Sequence, residues 1–195
     1  MTSRLHIKAL ADRVAYYEWA YGRLAESDVE IGPVGEFLVG RLLDCLPPAR
    51  KATSLYDLEM ADGTSLEVKT TTRRHPRKTA APVYRWDVGT QLSCLNGTRP
   101  LARYWIFLIC AFPESAAGER HFDVFDLRYW QAAVLPGTAL RTFKIRRYVT
   151  EPMLKRIFTR FTPVAELPER LRSLRALAAR GCDGLNLAIA RTDGK

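Results

Sequence analysis

The chain has 195 residues, 47% of them hydrophobic and 26% charged, a balance that supports a packed core and excludes extended disorder. Its formal net charge of +9, carried by 23 arginines and 7 lysines, favours polyanionic partners such as phosphate backbones or anionic membrane surfaces. The longest apolar run, Tyr104 to Phe112, is too short to span a bilayer, and the opening MTSRLHIKALADR carries charge where a signal peptide needs an apolar run. The expectation is a cytoplasmic protein with no membrane partner, in which Cys45, Cys94, Cys110 and Cys182 are reduced core thiols rather than zinc ligands.

Residues 4–26 predict a helix, with Leu5, Ala9, Leu10, Val14, Tyr17, Tyr21 and Leu24 at helical spacing. A second helix starts near Pro33 and stops at Pro47-Pro48, burying Phe37, Leu38, Leu42 and Leu46, with Glu36 in its first turn. The segment SLYDLEMADGTSLEVKTTT alternates polar and apolar residues on both sides of Ala61-Asp62-Gly63, which predicts a hairpin of two strands. Residues 73–82 read as a basic loop and 85–95 as a helix ended by Asn96-Gly97. Tyr104–Phe112 reads as a strand buried on both faces, HFDVFDL as another strand and RYWQAAVL as a short helix. Residues 141–149 alternate basic and apolar groups, an extended segment with one cationic face. Helices are expected from Glu151 to about Phe161 and over 167–180. The order predicts an α/β fold, a central mixed β-sheet flanked by helices. Residues 1–150 make its core and residues 151–195 a C-terminal helical extension, either part of the same domain or an appendage for dimerisation or DNA binding.

The hairpin carries the chemistry. A three-residue Ala61-Asp62-Gly63 turn sets Glu59 opposite Ser65, Asp57 opposite Glu67 and Leu55 opposite Lys69. One face then holds Asp57, Glu59, Ser65, Glu67 and Lys69, and the other holds the apolar Tyr56, Leu58, Leu66 and Val68. A two-residue Asp62-Gly63 turn is the competing register and moves Asp57 to the wrong face. In the first register the Asp57 and Glu67 Cβ atoms stand about 5 Å apart. Two carboxylates that close repel unless a cation lies between them, and a divalent ion such as Mg²⁺ (or Mn²⁺) meets that need. Lys69 points to the same side, placed to orient or help deprotonate a water, or to offset charge on a phosphate.

Asp57, followed by Glu67-Val68-Lys69 on the next strand, resembles the PD-(D/E)XK nuclease superfamily. The helix GPVGEFLVGRLL resembles the first core helix of that family, and Glu36 matches its metal-site glutamate. The resemblance covers roughly residues 33–127 and departs at Tyr56, where the family often has proline. It implies a restriction-endonuclease-like core with extra N- and C-terminal helices. It also implies a divalent metal held by Asp57, Glu67 and Glu36, and hydrolysis of phosphodiester bonds assisted by Lys69. Gln91 resembles a glutamine of some exonuclease-like members, though no matching tyrosine follows it.

Glu59 is a further acidic candidate, and His75 a further contact to nucleic acid. Asp123 and Asp126 flank a strand and read as caps. Arg73, Arg74, Arg77 and Lys78 form one basic cluster, Arg141, Lys144, Arg146 and Arg147 a second, and Lys155, Arg156 and Arg160 a third. Such clusters suit phosphate neutralisation, and Trp86 or Tyr84 beside them could stack on bases. The expectation is a Mg²⁺-dependent endonuclease acting on double-stranded DNA in restriction or antiphage defence, working as a homodimer or with a partner subunit. A repair nuclease, a junction resolvase, an RNA nuclease of the same fold and a non-catalytic nucleic-acid-binding subunit remain the alternatives.

Overall fold

The computed structural model describes residues 31–48, 55–72, 74–75 (backbone), 81–111, 126–157 and 160–180. The helix expected over 4–26, the loop at 113–120, most of HFDVFDL and the residues after Arg180 lie outside these.

Helix α1, Ile31–Leu43, leads into a hairpin of β1, Leu58–Glu59, and β2, Ser65–Thr71. The pairs Leu58 with Leu66 and Glu59 with Ser65 are those of the three-residue turn. Gly63, with φ of +79°, closes that turn by donating its N–H to the Met60 carbonyl at 2.9 Å. β2 runs parallel to β5, Tyr104–Cys110, which pairs antiparallel along its whole length with β6, Trp130–Pro136. A short β8, Thr162–Pro163, completes a mixed five-stranded sheet in the order β1-β2-β5-β6-β8. Every residue of β5 is buried, as its unbroken apolar run requires for a central strand covered on both faces.

The two faces are covered by different layers. Tyr104, Ile106 and Leu108 join Leu58, Leu66 and Val68 in a cluster with α1 and with α5, Leu167–Ala179. Gly35 lets α1 approach closely, because a Cβ there would collide with the Thr70 side chain and lie 2.9 Å from Leu108. On the opposite face, Trp105, Phe107 and Ile109 meet Trp86, Val149 and Leu154. These belong to a second, three-stranded layer of β3, Arg74–His75, β4, Val83–Asp87, and β7, Tyr148–Thr150, backed by α4, Glu151–Arg156. The architecture is α/β, a mixed sheet with helices. Leu167 and Leu171 of α5 are buried in the first cluster, so this part of the 151–195 segment packs onto the sheet.

Several local expectations are corrected. Residues 83–87 form a strand, not the start of a helix over 85–95. Trp86 turns into the core while its neighbours turn out, and only Leu92–Leu95, labelled α2, is helical before Asn96 and Gly97 end it. In the segment RYWQAAVL, Arg128 and Tyr129 end a 3₁₀ turn and the rest is β6 instead of a helix, because its alternate residues enter both clusters and β5 satisfies its backbone. α3, Gly137–Leu140, follows it directly. Within 141–149 only Tyr148 and Val149 lie in a strand, although Ile145 and Val149 are buried and the basic residues exposed, as the alternation requires. α4 stops at Arg156, five residues short of expectation. α1 begins at Ile31, which puts Glu36 in its second turn, and Leu46 lies beyond its end, 73% exposed and bridged to Glu59. Among the described residues no helix is long and apolar enough to cross a membrane, and Cys45, Cys94 and Cys110 are buried free thiols.

Candidate active site

Strand alternation decides what β2 offers. Leu66 and Val68 enter the first cluster, so Glu67 and Lys69 project from the opposite face, beside Trp105 and Phe107 of β5. Glu67 is fully buried, while Lys69 keeps 18% of its side chain exposed. The Lys69 ammonium lies 2.5 Å from Glu67 Oε1. No hydrogen-bond donor satisfies Oε2 among the described residues, and the buried Trp105 indole N–H at the paired position of β5 lacks an acceptor as well.

Asp57 reaches the same place by a different route from the one expected. β1 contributes only two residues to the ladder, and Asp57 sits just before it in a bend. Its N–H donates to the Leu66 carbonyl at 3.0 Å, and its Oδ2 accepts the Val68 N–H at 2.9 Å. The carboxylate therefore lies along the edge of β2, spanning the position of Glu67, and stands in for a missing rung of the ladder. Glu36, 8% exposed on α1, is the third acid in electrostatic reach.

The electrostatics are those of a crowded anionic site. Burial, then the Asp57 charge and more weakly Glu36, push the Glu67 carboxyl up to about 8, against the opposing pull of Lys69. Burial alone would depress the Lys69 ammonium, but Glu67, Asp57 and Glu36 outweigh it and hold it above the usual lysine range.

These residues suit a hard divalent cation in donor chemistry: oxygen-only ligands, a surplus of negative charge and a buried carboxylate oxygen without a donor. Among the described residues, however, no three His, Cys, Asp or Glu side chains close around a common point. The carboxylates repel one another, and Lys69 takes the position against Glu67.

The remaining candidates separate. Glu59 accepts a hydrogen bond from the Tyr56 hydroxyl at 2.6 Å, an ordinary partner for a strand-end acid. Gln91 ends a 3₁₀ turn over Gly89–Gln91, half-buried, with its N–H on the Val88 carbonyl. Asp126 caps a 3₁₀ turn by accepting the Arg128 N–H, as its position predicts. Asp123, Arg73, Arg77 and Lys78, and the side chains of Arg74 and His75, lie outside the described residues. Lys144, Arg146 and Arg147 are exposed. Trp86 is no platform for bases: it is 1% exposed, donates its indole N–H to the Leu108 carbonyl at 2.9 Å and stacks on Phe161. Tyr84 is half-buried against the same cluster.

Two long-range contacts escape a linear reading. Asp87 feels the Lys69 charge although 18 residues separate them, and the wrong helix over 85–95 hid it. Arg175 on α5 pairs with Asp62 in the hairpin turn, a contact between residues 113 apart that no local pattern signals. No protein-family model matches the chain, and no curated protein matches it.

Proposed function

We propose that the chain is a divalent-metal-dependent nuclease of the PD-(D/E)XK class, with a restriction-endonuclease-like core, and that it hydrolyses phosphodiester bonds of DNA. The single observation that carries this reading is Glu67. Burial and the neighbouring Asp57 disfavour its ionised form, one of its oxygens has no donor among the described residues, and a divalent cation would favour ionisation and draw on both acids. Two acids able to share a divalent cation, with a lysine beside them, form a set that metal-assisted hydrolysis can use.

Asp57 and Glu67 would hold the metal, with Glu36 behind them. When bound, Mg²⁺ or Mn²⁺ supplies Lewis acidity that activates a water and offsets charge on the phosphate. Asp57 is held for this by the Val68 N–H, which fixes one oxygen on the strand edge. Glu67 is held by its place between β5 and the second layer, where water is excluded and every charge acts more strongly. Lys69, already protonated through the carboxylates around it, orients the attacking water and stabilises negative charge growing on the phosphoryl oxygens.

The test is cleavage of plasmid DNA by the purified chain with Mg²⁺ or Mn²⁺. Nicking or linearisation is expected, lost in EDTA and lost in Lys69→Ala and Asp57→Asn variants that keep the wild-type circular dichroism. Activity that survives EDTA, or both substitutions, would overturn the mechanism. Tight DNA binding without cleavage of any nucleic acid would favour a binding subunit.

A further inference from the structure

The outer face of the three-stranded layer carries a cluster unconnected with the metal-ligand set. In the β4–β7 pairing Trp86 and Val149 turn inward, so Arg85, Asp87, Tyr148 and Thr150 turn out. The Arg85 guanidinium lies 4.5 Å from the centroid of the Tyr148 ring, and the Arg147 guanidinium 5.2 Å from the same centroid. Two cations thus share one aromatic ring. Asp87 fixes one of them: its Oδ2 accepts from Arg147 Nε at 2.9 Å, and its Oδ1 accepts the Gly89 N–H at 2.8 Å. Arg85 has no carboxylate partner among the described residues. Arg146 and Lys144 are exposed on the adjoining loop.

One Asp cannot neutralise this concentration of positive charge, and gathering it on one strand face is unfavourable in the absence of an anion. Stacking on Tyr148 restrains the guanidinium planes and leaves edge N–H groups for donation, the geometry that grips phosphates. The cluster also lies near the hairpin. The Gly89 N–H and Arg147 hold the Asp87 carboxyl below the usual range, and the Lys69 ammonium adds to them.

Resting on the nuclease reading, we propose that Arg85, Tyr148 and Arg147 form a preorganised contact for the phosphate backbone of duplex DNA, with Asp87 as the positioning residue that fixes Arg147. The surface reads charge and spacing, not base identity. It holds the duplex beside the hairpin and contributes affinity without sequence preference.

The experiment measures binding of a fluorescent duplex to the full chain in EDTA, across a series of salt concentrations. The double variant Arg85→Ala/Arg147→Ala is expected to bind roughly tenfold more weakly, and its plot of log K against log salt to be shallower by about 2. Arg85→Lys/Arg147→Lys keeps the charge and should keep the wild-type slope. Tyr148→Leu should weaken binding at unchanged slope. Arg172→Ala/Arg180→Ala removes two exposed charges from and just beyond α5, on the far side of the sheet, and should leave the slope unchanged. A wild-type slope in Arg85→Ala/Arg147→Ala, or an equal fall in the α5 control, would overturn this inference while leaving the nuclease reading intact. A wild-type chain that neither binds nor cuts DNA would overturn both.

Discussion

The Val68 N–H donates to Asp57 Oδ2 across the edge of β2, at 2.9 Å. One carboxylate thus serves two purposes, closing the backbone ladder where β1 ends and presenting its charge to Glu67. Asp57→Asn keeps an acceptor for Val68 and should fold with near wild-type stability while losing activity. Asp57→Ala leaves that N–H unsatisfied and should cost about 1–3 kcal/mol in addition. Urea denaturation of the two variants, read beside plasmid nicking, separates the roles. Equal stability of the two would show that the hydrogen bond contributes nothing.

Glu67 makes stability depend on pH in an unusual direction. Its folded-state value of about 8 lies above the unfolded carboxylate value, so the folded form holds the proton more tightly. The stability this gives is fully present below about pH 4.5 and is lost as pH rises through about 8. Without divalent cations the unfolding free energy should therefore fall between about pH 5 and pH 9 by an amount on the order of a few kcal/mol, and the melting temperature should fall with it. Glu67→Gln should flatten that fall and abolish cleavage. A profile identical to wild type would mean that the carboxyl titrates normally.

Added Mg²⁺ or Mn²⁺ should raise the melting temperature of the wild-type chain at pH 8, and EDTA should reverse the rise. Glu67→Gln, which removes a ligand charge, should lose most of the effect, and Glu36→Gln only part of it. Differential scanning fluorimetry across a metal titration reads this directly. An undiminished rise in Glu67→Gln would place the cation elsewhere.

Gly35 sets the distance between α1 and the sheet. Gly35→Ala puts a methyl group against the Thr70 side chain and Leu108, and should destabilise by about 1–3 kcal/mol. Because α1 carries Glu36, metal affinity should drop with it, which isothermal titration would detect. A neutral Gly35→Ala would show that the helix moves aside without cost.

The hairpin was legible because its signals are local. Alternation fixed the faces of Leu58, Leu66 and Val68 but not of Tyr56, which lies before β1 and packs with the opposite cluster, and Gly63 chose a three-residue turn over a two-residue one, the register now seen in the pairs Leu58–Leu66 and Glu59–Ser65. β5 was legible for a similar reason, since a seven-residue apolar run is of strand length and suits a strand covered on both faces. β4 and β6 were misread as helices. Tryptophan and alanine fit either structure, and what decides between them is a partner strand supplied from far along the chain, β7 for β4 and β5 for β6. The candidate residues on β2, Glu67 and Lys69, were legible from the register that the Ala61-Asp62-Gly63 turn sets. The way Asp57 joins them was not, because a side chain that replaces a backbone rung leaves no periodic trace.

The pairing of Arg175 with Asp62 has a consequence in time. The hairpin can form as soon as its own residues leave the ribosome, since its pairs are close in sequence. Its turn gains its clasp only after synthesis has run another 113 residues and α5 has docked. The clasp on the turn is thus supplied by a helix made long after the hairpin it holds.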